Sequence, residues 1–191
     1  ASDVYKRQDY NGLTFAETFG DMAFTLYSHA VSLRDLGCTQ SPMNAWITLN
    51  GVETLPLRME RHVENAQKVA GFLQQHPSVE WVSYAGLSSS PYYQLAQKYL
   101  QGKAGSVFTF GIRGGYESGL RLLEKVELFS HVSNIGDSRS LILHPASTTH
   151  RQLSDEQRLT AGAGPEVIRL SVGIESAEDL IADLEQALEG L

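Results

Sequence analysis

Cysteine is almost absent from the sequence, which contains only Cys38 among its 191 residues. A single thiol excludes an internal disulfide framework and any zinc site built from cysteines. It is also typical of a protein kept in a reducing compartment, so we expect a cytoplasmic protein. The six histidines follow no metal-binding spacing such as HExxH, and we therefore predict no metal site.

Long apolar runs and concentrated basic charge are absent as well. No run of about eighteen apolar residues occurs, which argues against a transmembrane helix. The chain carries 15 Lys and Arg against 22 Asp and Glu, a net charge of −7. Nucleic-acid binding needs a concentrated basic surface, and here the basic residues are scattered. The sequence therefore predicts neither a membrane partner nor a nucleic-acid partner.

Helix and strand patterns are present along most of the chain, and 42% of the residues are apolar. Together they predict an α/β fold with several short strands beside helices. The long helix has an apolar stripe at Leu55, Met59, Val63, Ala66, Ala70 and Leu73. The predicted helices are one or two within Asn11 to Gly37, one starting at Ser41-Pro42, the long one from Glu53 to Gln75, and Tyr92 to Leu100, Glu117 to Lys125, Leu153 to Ala161 and Ser176 to Leu188. Ser154 is the expected N-cap of the helix at Leu153 to Ala161, and Ser176 and Asp179 have the spacing of a capping box at the start of the last helix. The predicted strands are Val79 to Tyr84, Ser106 to Ile112, Phe129 to Ile135, Ser140 to Leu143 and Val167 to Val172.

The last predicted strand, VIRLSVGIE, places an arginine on an otherwise small-residue face. A period of two puts Arg169 beside Val167 and Ser171, whereas Ile168 and Leu170 face the other way. A buried arginine needs an anionic partner, because an unpaired buried charge is very costly. The partner is either an Asp or Glu of the same protein, in a structural pair, or the carboxylate of a substrate.

The segment NIGDSRSLILHPASTTH, residues 134–150, is dense in small polar side chains. Such a segment is more often a loop whose side chains satisfy one another and the nearby backbone. His150 is interpreted as a structural histidine, and its use as a base or a metal ligand stays open. No GxSxG elbow and no GxxxxGK[ST] loop occurs, so the chain contains no complete set of catalytic groups.

Several stretches together resemble a known enzyme family. Residues 134–150 and RLSVGIESAEDLIADLEQAL are similar to the C-terminal signature of the Cys/Met-metabolism pyridoxal-phosphate (PLP) enzymes. TFAETFGDMAF, LRDLGCTQSPMNAW, GVETLPLRMERHVENA and SSPYYQLAQKYL look most like its O-acetylhomoserine sulfhydrylase branch. The resemblance runs from about Asn11 to Leu191. Cystathionine γ-synthases, cystathionine γ-lyases and methionine γ-lyases share the HPAS and RLSVG stretches and are the alternative within the family.

The resemblance implies a fold and a division of the chain. It implies the C-terminal domain of a PLP-dependent transferase of the aspartate-aminotransferase fold type, with a short-stranded, mostly antiparallel sheet flanked by helices. Residues 9–53 would be the tail of the large PLP domain, 54–76 a long connecting helix, and 77–191 the C-terminal α/β domain. Residues 1–8 are polar and without periodicity, and we interpret them as an artefact or a disordered stretch.

The resemblance also implies roles for individual residues. Arg169 would bind the α-carboxylate of the substrate, and Asn134 would contact the same group. Ser147, Thr148, Thr149 and His150 would shape the wall of that site. The implied reaction joins O-acetylhomoserine to sulfide or a thiol such as methanethiol, giving homocysteine or methionine and acetate. Family members are usually homotetramers.

One departure from the family pattern concerns the cofactor. The Schiff-base lysine of the family lies in an S-x-[ST]-K context, which none of the five lysines has; these are Lys6, Lys68, Lys98, Lys103 and Lys125. We therefore expect the PLP-binding half to lie outside this chain, and the chain alone to be inactive, with no catalytic and no cofactor-binding residue of its own. A non-catalytic, stand-alone binding domain is the alternative of a different class.

Overall fold

The computed structural model describes residues 10–191. The interpretation of residues 1–8 falls outside the described part of the chain. The chain divides into two compact units, with the boundary in the sequence between Glu53 and Thr54.

The elements of the first unit, where it is described, are helices and helical turns joined by short irregular stretches. Its elements are α1 (Phe15–Phe19), a 3-10 turn (Gly20–Met22), α2 (Ala23–Tyr27), a π-helical segment (Ser28–Asp35) and α3 (Pro42–Glu53). Gly20 ends α1 with a φ of 52°, a left-handed value that favours glycine. The Ser41 hydroxyl accepts a hydrogen bond from the Asn44 amide (3.2 Å), so the predicted start of α3 at Ser41-Pro42 is confirmed.

The second unit combines one sheet with five α-helices and a short 3-10 helix (Pro145–Ser147). The helices are α4 (Leu55–Gln75), α5 (Tyr93–Leu100), α6 (Gly115–Lys125), α7 (Asp155–Thr160) and α8 (Ala177–Leu188), and the strands are β1 (Val79–Ser83), β2 (Val107–Ile112), β3 (Ser130–His131), β4 (Leu141–Leu143) and β5 (Val167–Ser171). The strand order is β1-β2-β5-β4-β3. Only the β3–β4 pair is parallel, which confirms the predicted short-stranded, mostly antiparallel sheet.

One face of the sheet carries the core of the second unit. Ile168 and Leu170 of β5 are fully buried, as are Phe110 and Ile112 of β2. They pack with the apolar sides of α4, α6 and α8 in one cluster. Burial of this apolar surface stabilises the unit. The other face of β5 carries Arg169, half-buried between the buried Val167 and Ser171.

The buried side of α4 differs from the predicted stripe. Leu55 is exposed, and Met59 and Val63 are only half-buried. The helix does bury the predicted Ala66, Ala70 and Leu73. It also buries three residues outside the predicted stripe, which are His62, Asn65 and Val69. The reason is that His62 and Asn65 form hydrogen bonds to the backbone after β5, which turns their side of the helix inward.

The predicted strand over Phe129 to Ile135 is wrong beyond two residues, since only Ser130–His131 pairs with β4. The backbone amides of Glu127, Leu128 and Phe129 donate instead to the Asp183 carboxylate on α8, at 2.8, 2.9 and 3.1 Å. The Phe129 amide is therefore not available for a sheet ladder, and the Val132 amide turns back to the Ser130 carbonyl (3.0 Å), which ends β3 after His131. The residues after β3 form a loop that returns to β4.

Two helix starts predicted from serine are confirmed. Ser154 and Gln157 form a reciprocal capping box at α7. Ser176 accepts a hydrogen bond from the Asp179 amide (3.3 Å) at the start of α8. Within residues 10–191, no helix combines the length and the apolar character that crossing a membrane requires.

Candidate functional site

Arg169 lies in the middle of β5, where Thr109 of β2 and Leu143 of β4 are its neighbours across the sheet. The side chain is half-buried. Its Nη2 atom donates to the backbone carbonyl of Asn134 over 3.4 Å, which is a long contact. Arg169 therefore stands on the sheet face away from the core, next to the loop between β3 and β4.

No carboxylate of residues 10–191 forms an ion pair with Arg169. Two acids near its loop are engaged elsewhere. Asp137 accepts a hydrogen bond from the Arg139 amide (3.0 Å), which holds the pKa of Asp137 below its ordinary value, and it also pairs with the Arg139 guanidinium. Glu175 binds Ser140. Among the described residues, the structural pair considered from the sequence does not form, and a planar donor fork remains for an external anion.

Asn134 is close to Arg169, but the contact runs through its backbone and not its side chain. The residue is exposed. Two residues further on, the Gly136 amide donates to the Ser171 hydroxyl on β5 (3.1 Å). The structure thus brings together the two residues predicted to bind one carboxylate, with the loop held against the strand.

Ser147, Thr148, Thr149 and His150 follow β4 and form a tight turn of their own. The hydroxyls of Ser147 and Thr148 donate to the His144 carbonyl, at 3.2 and 2.8 Å. The Thr149 hydroxyl lies 2.9 Å from the His150 Nδ1 atom. In the described structure none of the four forms a hydrogen bond with Arg169 or Asn134. The turn satisfies its own polar groups, as expected for a structural loop, and its place in a site wall stays a prediction.

His144 opens this turn and is fully buried. Its Nε2 atom lies 2.9 Å from the Pro165 carbonyl, and its Nδ1 atom lies 3.0 Å from the Ser147 hydroxyl. Because a carbonyl only accepts, Nε2 carries a proton. Burial lowers the pKa of His144, since the charged form would lose its hydration. Its ring therefore braces the turn and is not exposed to a ligand.

The described lysines do not fit the part of a cofactor-binding Schiff base, which needs a desolvated amine in a pocket. All four are exposed. Lys68 pairs with Glu64 and Lys103 with Glu60, at 3.1 and 3.2 Å. Lys125 donates to the Glu189 carbonyl, and Lys98 lies over the ring of its neighbour Tyr99. The four described lysines are thus exposed amines, and none lies in a desolvated pocket of residues 10–191.

Sequence reasoning missed the polar residues that hold the Arg169 strand in place. These are His62 and Asn65 on α4, Ser140 before β4, and Glu175 after β5. A sequence signal existed in α4, because His62 and Asn65 interrupt the apolar pattern on what becomes the buried side. The partners of these residues lie too far along the chain for a local pattern to reveal them.

The fold and the arginine define an α/β domain with a candidate carboxylate-binding site. The comparisons with known proteins give its family: a model described as "Cys/Met metabolism PLP-dependent enzyme" matches residues 11–189, and the chain belongs to that family.

Relatives at 45 to 50% identity are named for sulfur chemistry. The chain is 50% identical over 179 residues to O-acetyl-L-homoserine sulfhydrylase 1 of Thermus thermophilus, covering 94% of this chain and 42% of that protein. It is 45% identical to the homocysteine synthase of Schizosaccharomyces pombe, with the same two coverages. A solved Campylobacter jejuni structure, described as an O-acetylhomoserine (thiol)-lyase carrying pyridoxyl-lysine monophosphate, superposes with a TM-score of 0.82 at 43% identity. That match covers 97% of this chain and 44% of the other. The chain thus spans less than half the length of these relatives.

Proposed function

We propose that this chain forms the C-terminal part of a PLP-dependent enzyme that joins O-acetylhomoserine to sulfide or a thiol, releasing acetate. The names of the relatives at 45 to 50% identity support this reaction over the other reactions of the family. The observation that carries the proposal is the guanidinium of Arg169, half-buried and without an ion pair among residues 10–191. An amino-acid substrate supplies the carboxylate that such a fork binds.

In this proposal Arg169 grips the α-carboxylate and so fixes the orientation of the substrate, which is a large part of catalysis in such sites. Asn134 lies next to it and closes the same end of the site. Ser147, Thr148, Thr149 and His150 shape the wall beyond. The product is homocysteine with sulfide and methionine with methanethiol.

Further parts of the proposal concern the whole protein. Residues 9–53 belong to the large PLP domain, residues 54–76 connect it to the C-terminal domain, and residues 77–191 form that domain. The enzyme is a cytoplasmic homotetramer. The chain of 191 residues is inactive alone, because its described lysines are exposed and engaged elsewhere.

The test uses a chimaera in which this chain replaces the matching 42% of the Thermus thermophilus enzyme. We expect Arg169→Ala to raise the KM for O-acetylhomoserine about 100-fold, the order expected when one partner of a hydrogen-bonded charge pair is removed (roughly 2–5 kcal/mol). Arg169→Lys should give a smaller rise, because it keeps the charge and loses the fork. Steady-state kinetics with sulfide as the second substrate measures the KM for O-acetylhomoserine in both variants.

Arg113→Ala is the matched control, since its Nε atom donates to the Pro77 carbonyl at the surface (3.0 Å). It should leave the KM for O-acetylhomoserine unchanged. The chain assayed without the rest of the enzyme should form no homocysteine when PLP is added. An unchanged KM in Arg169→Ala would remove this residue from the site.

A further inference from the structure

The loop that carries Asn134 is attached at two points, one on β5 and one on the residues that follow β5. At the near end, the Gly136 amide donates to the Ser171 hydroxyl, two residues beyond Arg169. At the far end, the Ile174 amide donates to the Ser138 carbonyl (2.9 Å). The position of Asn134 relative to Arg169 therefore depends on how firmly this loop is held.

Ser140 and Glu175 make the strongest of these attachments. One oxygen of the Glu175 carboxylate accepts from the Ser140 amide (2.7 Å), and the other accepts from the Ser140 hydroxyl (2.9 Å). The same hydroxyl accepts from the Gly173 amide (2.8 Å). Ser140 is fully buried, so its hydrogen bonds face little competition from water. We call this group, Ser140 with Glu175 and the Gly173 amide, the Ser140–Glu175 clasp.

Helix α4 holds the same stretch of backbone from the other side. Asn65 donates to the carbonyls of Gly173 and Glu175, at 3.0 and 2.8 Å. His62 binds the Val172 carbonyl through Nδ1 (2.6 Å), while its buried Nε2 atom has no partner among the described residues. The tail of β5 is thus fixed to a long helix, and the clasp transfers that fixed position to the loop.

We propose that Ser140 and Glu175 are positioning residues for the carboxylate site, which they build by holding the Asn134 loop at a set distance from Arg169. This inference rests on the proposed function of Arg169. The clasp also keeps the negative charge of Glu175 bound to Ser140, so that the guanidinium remains available to a ligand. Neither residue touches the substrate.

The kinetic test uses Ser140→Ala in the same chimaera. The change removes two hydrogen bonds of the clasp, and we expect the KM for O-acetylhomoserine to rise about 10-fold, because small displacements in a binding site have large effects. The KM for sulfide should stay the same, whereas a loss of stability alone would lower the amount of active enzyme and leave both constants unchanged. Glu175→Gln keeps an acceptor for the Ser140 amide and should raise the KM less.

Ser118→Ala is the matched control, because Ser118 is equally small and buried but bonds Arg121 on α6. It should change neither constant. A second measurement uses the 191-residue chain itself: amide hydrogen exchange of Gly136 and Gly173 should become at least about 10-fold faster in Ser140→Ala. Ser118→Ala should leave both amides as protected as before.

The two proposals fail in different ways. If Arg169→Ala raises the KM but Ser140→Ala changes neither the KM nor the exchange of Gly136, the clasp is overturned and the function of Arg169 stands. If Arg169→Ala leaves the KM unchanged, the carboxylate site itself is overturned. Faster exchange in Ser140→Ala together with a higher KM for O-acetylhomoserine alone supports the clasp.

Discussion

Residues 54–191 and residues 10–53 use their apolar side chains in opposite ways. The longer unit encloses a continuous core between its sheet and α4, α6 and α8. In the described part of the shorter unit, the buried apolar residues are Phe15, Ala23 and Val31. Helix α3 buries none of its residues, and Trp46 and Leu49 are 60% and 61% exposed. One unit has the contacts of an independent domain, and the other does not.

The composition of α3 indicates that this helix needs a covering protein surface. Glu53 is its only charged residue, and apolar side chains occur on all of its sides. A helix that is apolar all round is stable in water only when other polypeptide covers it. We therefore expect the stability of the 191-residue chain to reside in residues 54–191, while residues 10–53 contribute exposed apolar surface that favours aggregation.

The largest expected effect tests where the stability resides. Leu184 of α8 is fully buried, and Leu184→Ala should lower the free energy of unfolding by about 2–5 kcal/mol through lost burial and a cavity. Leu49→Ala is the same change on exposed α3 and should cost less than about 0.5 kcal/mol. Urea unfolding followed by circular dichroism gives both values. Equal losses of free energy of unfolding in the two variants would mean that α3 is packed in solution. That result would contradict the proposed difference in stability between the two units.

A smaller loss of stability is expected when one of two aspartates, one in each unit, is replaced. Asp183 accepts hydrogen bonds from three consecutive backbone amides, and it is 7% exposed. Asp183→Ala leaves these amides without their acceptor and should cost about 2–3 kcal/mol.

The counterpart in the shorter unit is Asp35, which accepts a hydrogen bond from the Tyr10 hydroxyl (2.6 Å) at an exposed site. Asp35→Ala should cost no more than about 1 kcal/mol, because exposed pairs contribute little. The same urea titrations measure both aspartate variants. A cost for Asp35→Ala as large as that for Asp183→Ala would contradict the view that the shorter unit adds little to stability.

What the sequence could predict depends on how far apart the interacting residues lie. The alternation around Arg169 and the caps at Ser154 and Ser176 are local, and the structure agrees with them. The contacts of His62 and Asp183 span 110 and 54 to 56 residues, and no local pattern indicates them. The same limit applies to the clasp. Sequence therefore predicted most of the elements and the position of Arg169 on its strand, but not the polar contacts that hold that strand in place.

The smallest effect concerns His144. Burial lowers the pKa of this histidine below its ordinary value of 6.5. The charge of His131 also lowers this pKa, whereas the charge of Glu166 raises it. Below pH 6.5 the unfolded chain takes up a proton that the folded chain resists. The contribution of His144 to the free energy of unfolding should therefore have its full value above pH 6.5. It should fall as the pH drops from there towards the lowered pKa of the folded state.

His144→Gln should flatten this slope in urea titrations across that window, because glutamine does not titrate. Its matched control is His29→Gln, at an exposed histidine of the shorter unit, which should keep the wild-type slope. A slope that survives in His144→Gln would show that acid weakens the chain elsewhere. If the pH dependence of the free energy of unfolding disappeared in His29→Gln, the shorter unit would contribute to stability, which its few buried residues do not explain.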